Sequence, residues 1–156
     1  MQILIVSQTV LAGVVVFVLG QLLLKMIIEP VQQLKRTMAE IANIFISYAY
    51  VIHNPNVVKP ELQQEVFEKL RELSGKLYGD MALIPLYSIV GKAFFLPSMK
   101  NVYQGAKNLI AIANWMYGKE SGNQFDHIIR NVQSACDNLG LYIAPEDRIS
   151  EELLSK

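Results

Sequence analysis

The chain has 156 residues, 52% apolar and 18% charged, with zero net charge, a mean hydropathy of +0.27 and a pI near 6.7. Soluble domains carry about a quarter charged residues, so part of this chain is abnormally apolar. The length admits one ordinary domain, and neutrality removes the basic field that DNA or long RNA would need.

The apolar excess sits at the front. Ile3 to Leu24 is a run of 22 residues without a charge, about 33 Å of helix against a hydrocarbon core of about 30 Å. Only Met1 and Gln2 precede it, so the basic leading region of a cleaved signal peptide is missing. A single transmembrane helix is predicted. Lys25, Lys35 and Arg36 follow the run and no cation precedes it, which predicts an outward N-terminus and a cytoplasmic remainder. Within the span Thr9, Gly13 and Gly20 share one narrow face with Val16. Small residues on one face let helix backbones pack in lipid, so these residues are the predicted self-association seam of a homo-oligomer.

Pro30 either opens a new helix or kinks a continuing one. Val31, Leu34, Met38, Ile41, Phe45, Tyr48 and Ile52 then form an unbroken heptad stripe, ended by the turn residues His53 to Asn56. Counted backwards from Val31, the register runs through Ile27, Leu24, Gly20, Phe17 and Gly13, one face from membrane to cytoplasm. Pro60 begins the next helix, with a stripe of Leu62, Val66, Leu70, Leu73 and Leu77 extended by Met81 and Ile84. Gly75 and Gly79 are expected to mark close helix contacts. Pro85 stops this helix, and Leu86 to Phe95 is an apolar connector with room for one short helix. Pro97 and Ser98 lead into a third helix carrying Val102, Ala106, Leu109, Ile110, Ala113 and Met116. After a polar loop from Gly118 to Asn123, a fourth carries Phe125, Ile128, Ile129, Val132, Cys136 and Leu139 and stops at Gly140.

The predicted fold is therefore all-α, an N-terminal transmembrane helix followed by a cytoplasmic four-helix bundle. Residues 1–29 form the anchor, 30–144 the bundle and 145–156 a flexible polar tail. Chemistry is sparse. One cysteine excludes an internal disulfide, and its place on an apolar stripe makes it a core residue. His53 and His127 have no ligand partner at metal spacing, and no phosphate loop or nucleophile turn is present. No catalytic residue, metal site or cofactor is predicted, and the chain reads as a non-enzyme. One binding signal remains. Lys107, Asn108, Asn114 and Trp115 lie on the third helix, with Asn101 nearby and Asn131 and Asn138 on the fourth. Amides beside an aromatic ring can read a small nucleotide or another polar molecule; the alternative is that they bind neighbouring helices and Trp115 is core.

Gln21, Lys25, Glu29, Pro30 and Val31 at the span exit resemble a family of small bacterial single-span membrane proteins of uncharacterised function. The resemblance extends through Asn54-Pro55, Leu70-Arg71-x-Leu73-Ser74, Ile84-Pro85-x-Tyr87 and Leu96-Pro97-Ser98. It closes with Leu109-Ile110 through Asn114 and Cys136-x-x-Leu139-Gly140. It implies one span in the bacterial inner membrane and a cytoplasmic helical domain. The layout, rather than any motif, is also similar to antiviral membrane effectors from CRISPR systems, whose cytoplasmic domain binds a cyclic oligoadenylate. Two functions follow as expectations: a membrane-anchored sensor or effector that couples a ligand or partner to the span, or a scaffold that holds another protein at the bilayer.

Overall fold

The computed structural model describes residues 2–118 and 123–142, and all its regular elements are helical. The expected tail at 145–156, the end of the expected bundle at 143–144 and most of the polar loop lie outside the described residues. Helix α1 (Gln2–Leu23) passes through a π-turn (Leu24–Ile28) directly into α2 (Glu29–Ser47). In that turn the Glu29 N–H donates to the carbonyl of Leu24, five residues back. The wide turn lies where Pro30 requires it, because proline has no N–H to give Met26 and its ring crowds that carbonyl. Pro30 therefore neither starts a separate helix nor breaks the chain's helical path. From Gln8 to Ser47 the backbone is one helix of 40 residues, and its most apolar window has a mean hydropathy of 2.4 with none of it buried. The N-terminal helix is long and apolar enough to cross a membrane.

The π-turn corrects the register count. It holds one additional residue, so everything before Leu24 is turned about 100° from where an uninterrupted α-helix would carry it. Gly13 and Gly20 are thus not on the face continued by Val31.

In α2 the buried residues are Val31, Leu34, Thr37, Met38, Ile41 and Ile44. The expected single helix to His53 is interrupted at Tyr48 (φ −113°), and α3 (Ala49–His53) resumes with Val51 and Ile52 buried. Tyr48 is held there by α4 (Pro60–Leu83): its hydroxyl donates to Glu65 at 2.9 Å and accepts from Lys69 at 2.7 Å. Helix α4 buries Val66, Leu70, Leu73, Ser74 and Leu77. Leu62, expected on this stripe, is exposed in the first turn. Pro85 ends α4 by forcing Ile84 into extended backbone (ψ 111°). After α5 (Tyr87–Ala93), α6 (Met99–Met116) starts on Ser98, whose hydroxyl accepts from the Asn101 N–H, and α7 (Gln124–Leu139) stops at Gly140 with φ +66°. Phe125, expected in the α7 stripe, is exposed with its ring edge toward His53.

The helices pack in chain order, α2 on α4, α4 on α6, α6 on α7, with a light contact between α2 and α7. Cross-links show that each neighbour runs antiparallel. Thr37 meets Asp80 and Tyr48 meets Glu65; Ser74 meets the Ala106 carbonyl and Gln63 the Met116 carbonyl; Asn108 meets Ser134 and Trp115 meets His127. The expectation that Gly75 and Gly79 mark close contacts is overturned: both are exposed, and a Cβ on either would meet nothing within 4 Å. Ser74, one position away, is the residue facing α6. The close approach is at Gly105, where a Cβ would lie 2.6 Å from the Leu139 side chain.

Antiparallel order divides the domain into two ends. The end beside the π-turn gathers the start of α2, the α4–α5–α6 connection and the end of α7. The far end gathers α3 and the start of α4 with the end of α6 and the start of α7.

Candidate functional site

Helix α6 carries all four residues of the predicted ligand site, but a helix advances about 100° per residue, which sorts them into two stripes. Asn108 and Trp115 are seven apart and face α7. The Asn108 amide donates to the Ser134 hydroxyl at 2.8 Å. The Trp115 ring stacks on His127 with centroids 4.1 Å apart and planes within 5°. The Trp115 carbonyl accepts from the buried Gln124 amide at 2.6 Å, and Gln124 in turn accepts from Asn56 at 3.0 Å. Together with Gln63, which donates to the Met116 carbonyl, these amides satisfy the orphan carbonyls that end α6. Lys107 and Asn114 occupy the adjacent exposed stripe. The Lys107 ammonium sits 4.6 Å over the Tyr103 ring, itself edge-on to Tyr78 at 5.4 Å. The four residues are not brought together around one space.

Two clefts lie elsewhere. One, about 650 Å³, is a polar groove between α2 and α4 that holds Glu40, Asn43, Ser47, Lys69, Glu72 and Lys76. Lys76 bridges Glu72 at 2.9 Å and Glu40 at 3.6 Å, and Lys69 binds Glu65 at 2.6 Å. The bond from Lys69, with that from Tyr48, holds the Glu65 carboxyl below its usual range, and Glu65 raises Lys69 in turn. Such exposed pairs fasten the helices weakly.

The other cleft, about 500 Å³, opens at the end beside the π-turn. Lys35, Met38 and Ala39 of α2 form one wall, Phe95 to Pro97 and Asn101 a second, and Asp137 to Leu141 the third. Its volume is in the range of small-molecule sites. Sequence reasoning missed it, because its walls come from three separated segments. Phe95 (φ 55°), on its wall, and Leu86 (φ 47°), at the start of the same α4–α6 connection, adopt left-handed backbone, the two non-glycine residues to do so among the described residues. That conformation costs on the order of 1–3 kcal/mol for each bulky side chain. Neither position carries the glycine or asparagine that would have signalled it.

Thr9, Gly13 and Gly20 are exposed along α1, with open space at both glycines. His53 is half-buried against Phe125, and burial holds its pKa below the ordinary 6.5. Cys136 is buried. Among the described residues no group of three His, Cys, Asp or Glu side chains could hold a metal ion. The chain matches no protein-family model, no curated protein and no solved structure.

Proposed function

We propose that this chain is a non-enzymatic single-pass membrane protein whose helical domain senses a ligand or partner and couples it to the span. The observation that carries this reading is the unbroken helix from Gln8 to Ser47. Its first half is apolar and exposed; its second half is amphipathic and packed into the domain. A displacement of α2 is therefore passed to α1 without crossing a flexible linker.

In this reading residues 1–29 anchor the chain with the N-terminus outside, 30–144 form a cytoplasmic four-helix bundle, and Thr9, Gly13 and Gly20 seam a homo-oligomer. The resemblance to small bacterial single-span proteins supports the architecture and a place in the bacterial inner membrane, and the likeness of layout alone suggests an antiviral or signalling effector. The cleft walled by Lys35, Met38 and Ala39 supports coupling, since an occupant there would press on α2 directly. Lys107 and Asn114, facing solvent, remain available to a small nucleotide, whereas Asn108 and Trp115 would first have to leave α7.

The test uses full-length protein in nanodiscs carrying a nitroxide at Val16→Cys. A panel of mononucleotides and cyclic oligoadenylates is expected to contain a member that raises the melting temperature and changes nitroxide mobility in the span. A stabilising ligand with no effect at Val16 would sink the coupling. A scaffold is the second reading, favoured by the Glu40–Lys76 ion pair and the Tyr48–Glu65 hydrogen bond, which tie the α2–α3 segment to α4. Stabilisation by a co-purified protein and by none of the small ligands would select it. A reporter fused after Lys156 is expected to act as cytoplasmic, and a periplasmic signal would reverse the topology.

A further inference from the structure

The α4–α6 connection is apolar on both sides. Its inner side is core: Ile84, Tyr87 and Val90 are buried, and the Tyr87 hydroxyl donates to the Pro97 carbonyl at 2.9 Å. Gly91 lies under the Tyr87 ring, where a Cβ would be 3.1 Å from it. This inner face accounts for how the segment is packed onto the core and leaves its outer face unexplained. There Phe95 is 94% exposed, Leu86 74% and Ile89 67%, with Leu83 and Met99 flanking them. Leucine and phenylalanine rarely take left-handed backbone. Here they do so at the two positions where it leaves a large apolar side chain in the open.

Charge is sorted in the same way. The chain has as many acidic as basic residues, yet from Met81 to Gly118 there is no Asp or Glu, and the charges are Lys92, Lys100 and Lys107. Lys92 lies on the connection and Lys100 in the first turn of α6, and both are exposed. An apolar surface flanked by Lys92 and Lys100, with Lys35 and Asp137 across the cleft from Phe95, suits an interfacial lipid layer with anionic headgroups.

Position selects the lipid over other apolar partners. Thr37 bonds to Asp80 across antiparallel helices, which sets Leu83 level with Leu34. Six residues of helix, about 9 Å, separate Leu34 from Ile28, where the apolar half of the long helix ends. The connection extends beyond Leu83 at that same end. A membrane crossed by α1 has a headgroup layer of about 5–8 Å on each side, so it faces this surface directly.

We propose that the segment from Leu83 to Met99 docks on the bilayer that α1 crosses. Leu86, Ile89 and Phe95 enter the boundary between headgroups and acyl chains, and Lys92 and Lys100 bind anionic phosphates. The domain is then held at two places, by its helix and by this surface. The inference rests on the membrane-spanning reading of α1, and the experiment separates the two.

Full-length Cys136→Ala protein, checked for unchanged helicity, carries one nitroxide at Val14→Cys, Ile89→Cys, Phe95→Cys or Ile46→Cys. It is placed in phosphatidylcholine nanodiscs with or without phosphatidylglycerol, and collisions with oxygen and with a water-soluble nickel chelate are measured. Labels at Val14, Ile89 and Phe95 are expected to favour oxygen, and the label at Ile46, at the far end of α2, to favour nickel. Phosphatidylglycerol should deepen Ile89 and Phe95. Lys92→Gln and Lys100→Gln should each lower the docked-to-undocked ratio about fivefold in those discs. If Val14 is in lipid while Ile89 and Phe95 are as wet as Ile46, docking is overturned and the span stands. If Ile89 and Phe95 are shielded from both reagents, a protein or second copy covers the surface, which also overturns it. If Val14 is wet, the spanning reading falls and the proposal with it.

Discussion

Three glycines test the packing of α6 on α7 because they differ in what surrounds them and share a helical backbone. Gly105→Ala adds a methyl 2.6 Å from the Leu139 side chain, inside its contact distance. Leu139 is itself buried and cannot swing into solvent. Overpacking of this kind costs about 1–3 kcal/mol, offset by about 1 kcal/mol because alanine is the better helix former. The net expectation is a loss of about 1 kcal/mol, or a melting temperature lower by roughly 4 °C for a domain of about this size. Gly75→Ala and Gly79→Ala carry the same backbone gain with open space around the new methyl. Each should stabilise by about 0.5–1 kcal/mol. Subtracting the two measurements cancels helix propensity and leaves the steric cost of the α6–α7 contact alone. Thermal melts of full-length protein in mild detergent, followed by circular dichroism, provide the comparison. Leu139→Ala combined with Gly105→Ala should then cost less than the two single changes added, by a coupling of about 0.5–3 kcal/mol. Equal stabilisation by Gly105→Ala and Gly75→Ala, with no coupling to Leu139, would show that α6 and α7 do not approach as described.

Thr37→Val removes the hydroxyl that donates to Asp80 at 2.5 Å without changing shape; it should cost about 1–3 kcal/mol while Thr37→Ser stays near wild type, and a neutral Val variant would refute the bond. Burial keeps His53 below its ordinary pKa of 6.5, so the unfolded chain takes up the proton first. Stability from this group is whole above pH 6.5 and is lost as pH falls through the lowered folded value. His53→Gln should flatten that acidic limb in urea titrations, and an unchanged slope would assign it to other groups. Gly13→Ile with Gly20→Ile should weaken detergent-stable oligomers and leave insertion intact, with Val14→Ile and Gln21→Leu as control; normal cross-linking of the double variant would move association out of the span.

What was legible in the sequence was amphipathic periodicity. Val31, Leu34, Met38 and Ile41, then Val66, Leu70, Leu73 and Leu77, are buried as their spacing implied, because each stripe has only one face to bury. Ser98 began and Gly140 ended an element where its local chemistry placed it. The π-turn was not legible: Leu24 to Ile28 holds four apolar residues and Lys25, and a helix apolar all round has no phase to shift. Glycine misled for a related reason. Gly75 sits one residue from the buried Ser74, and a residue's neighbour on a helix faces a different direction; only the partner helix tells which of the two is covered. On α6, residue type alone does not show that Asn108 and Trp115 have partners on α7.

The π-turn also makes the chain tolerant of a length change at one place. Loss of a single residue between Leu24 and Ile28 would let the wide turn close into an ordinary one, leaving every side chain on either flank pointing where it points now. The same loss between Val31 and Ile44 would rotate the following residues by about 100° and carry Leu34, Met38 or Ile41 off the core. Deletion scanning from Leu24 to Ile44 should therefore find the five-residue turn permissive and the stretch from Val31 onward intolerant.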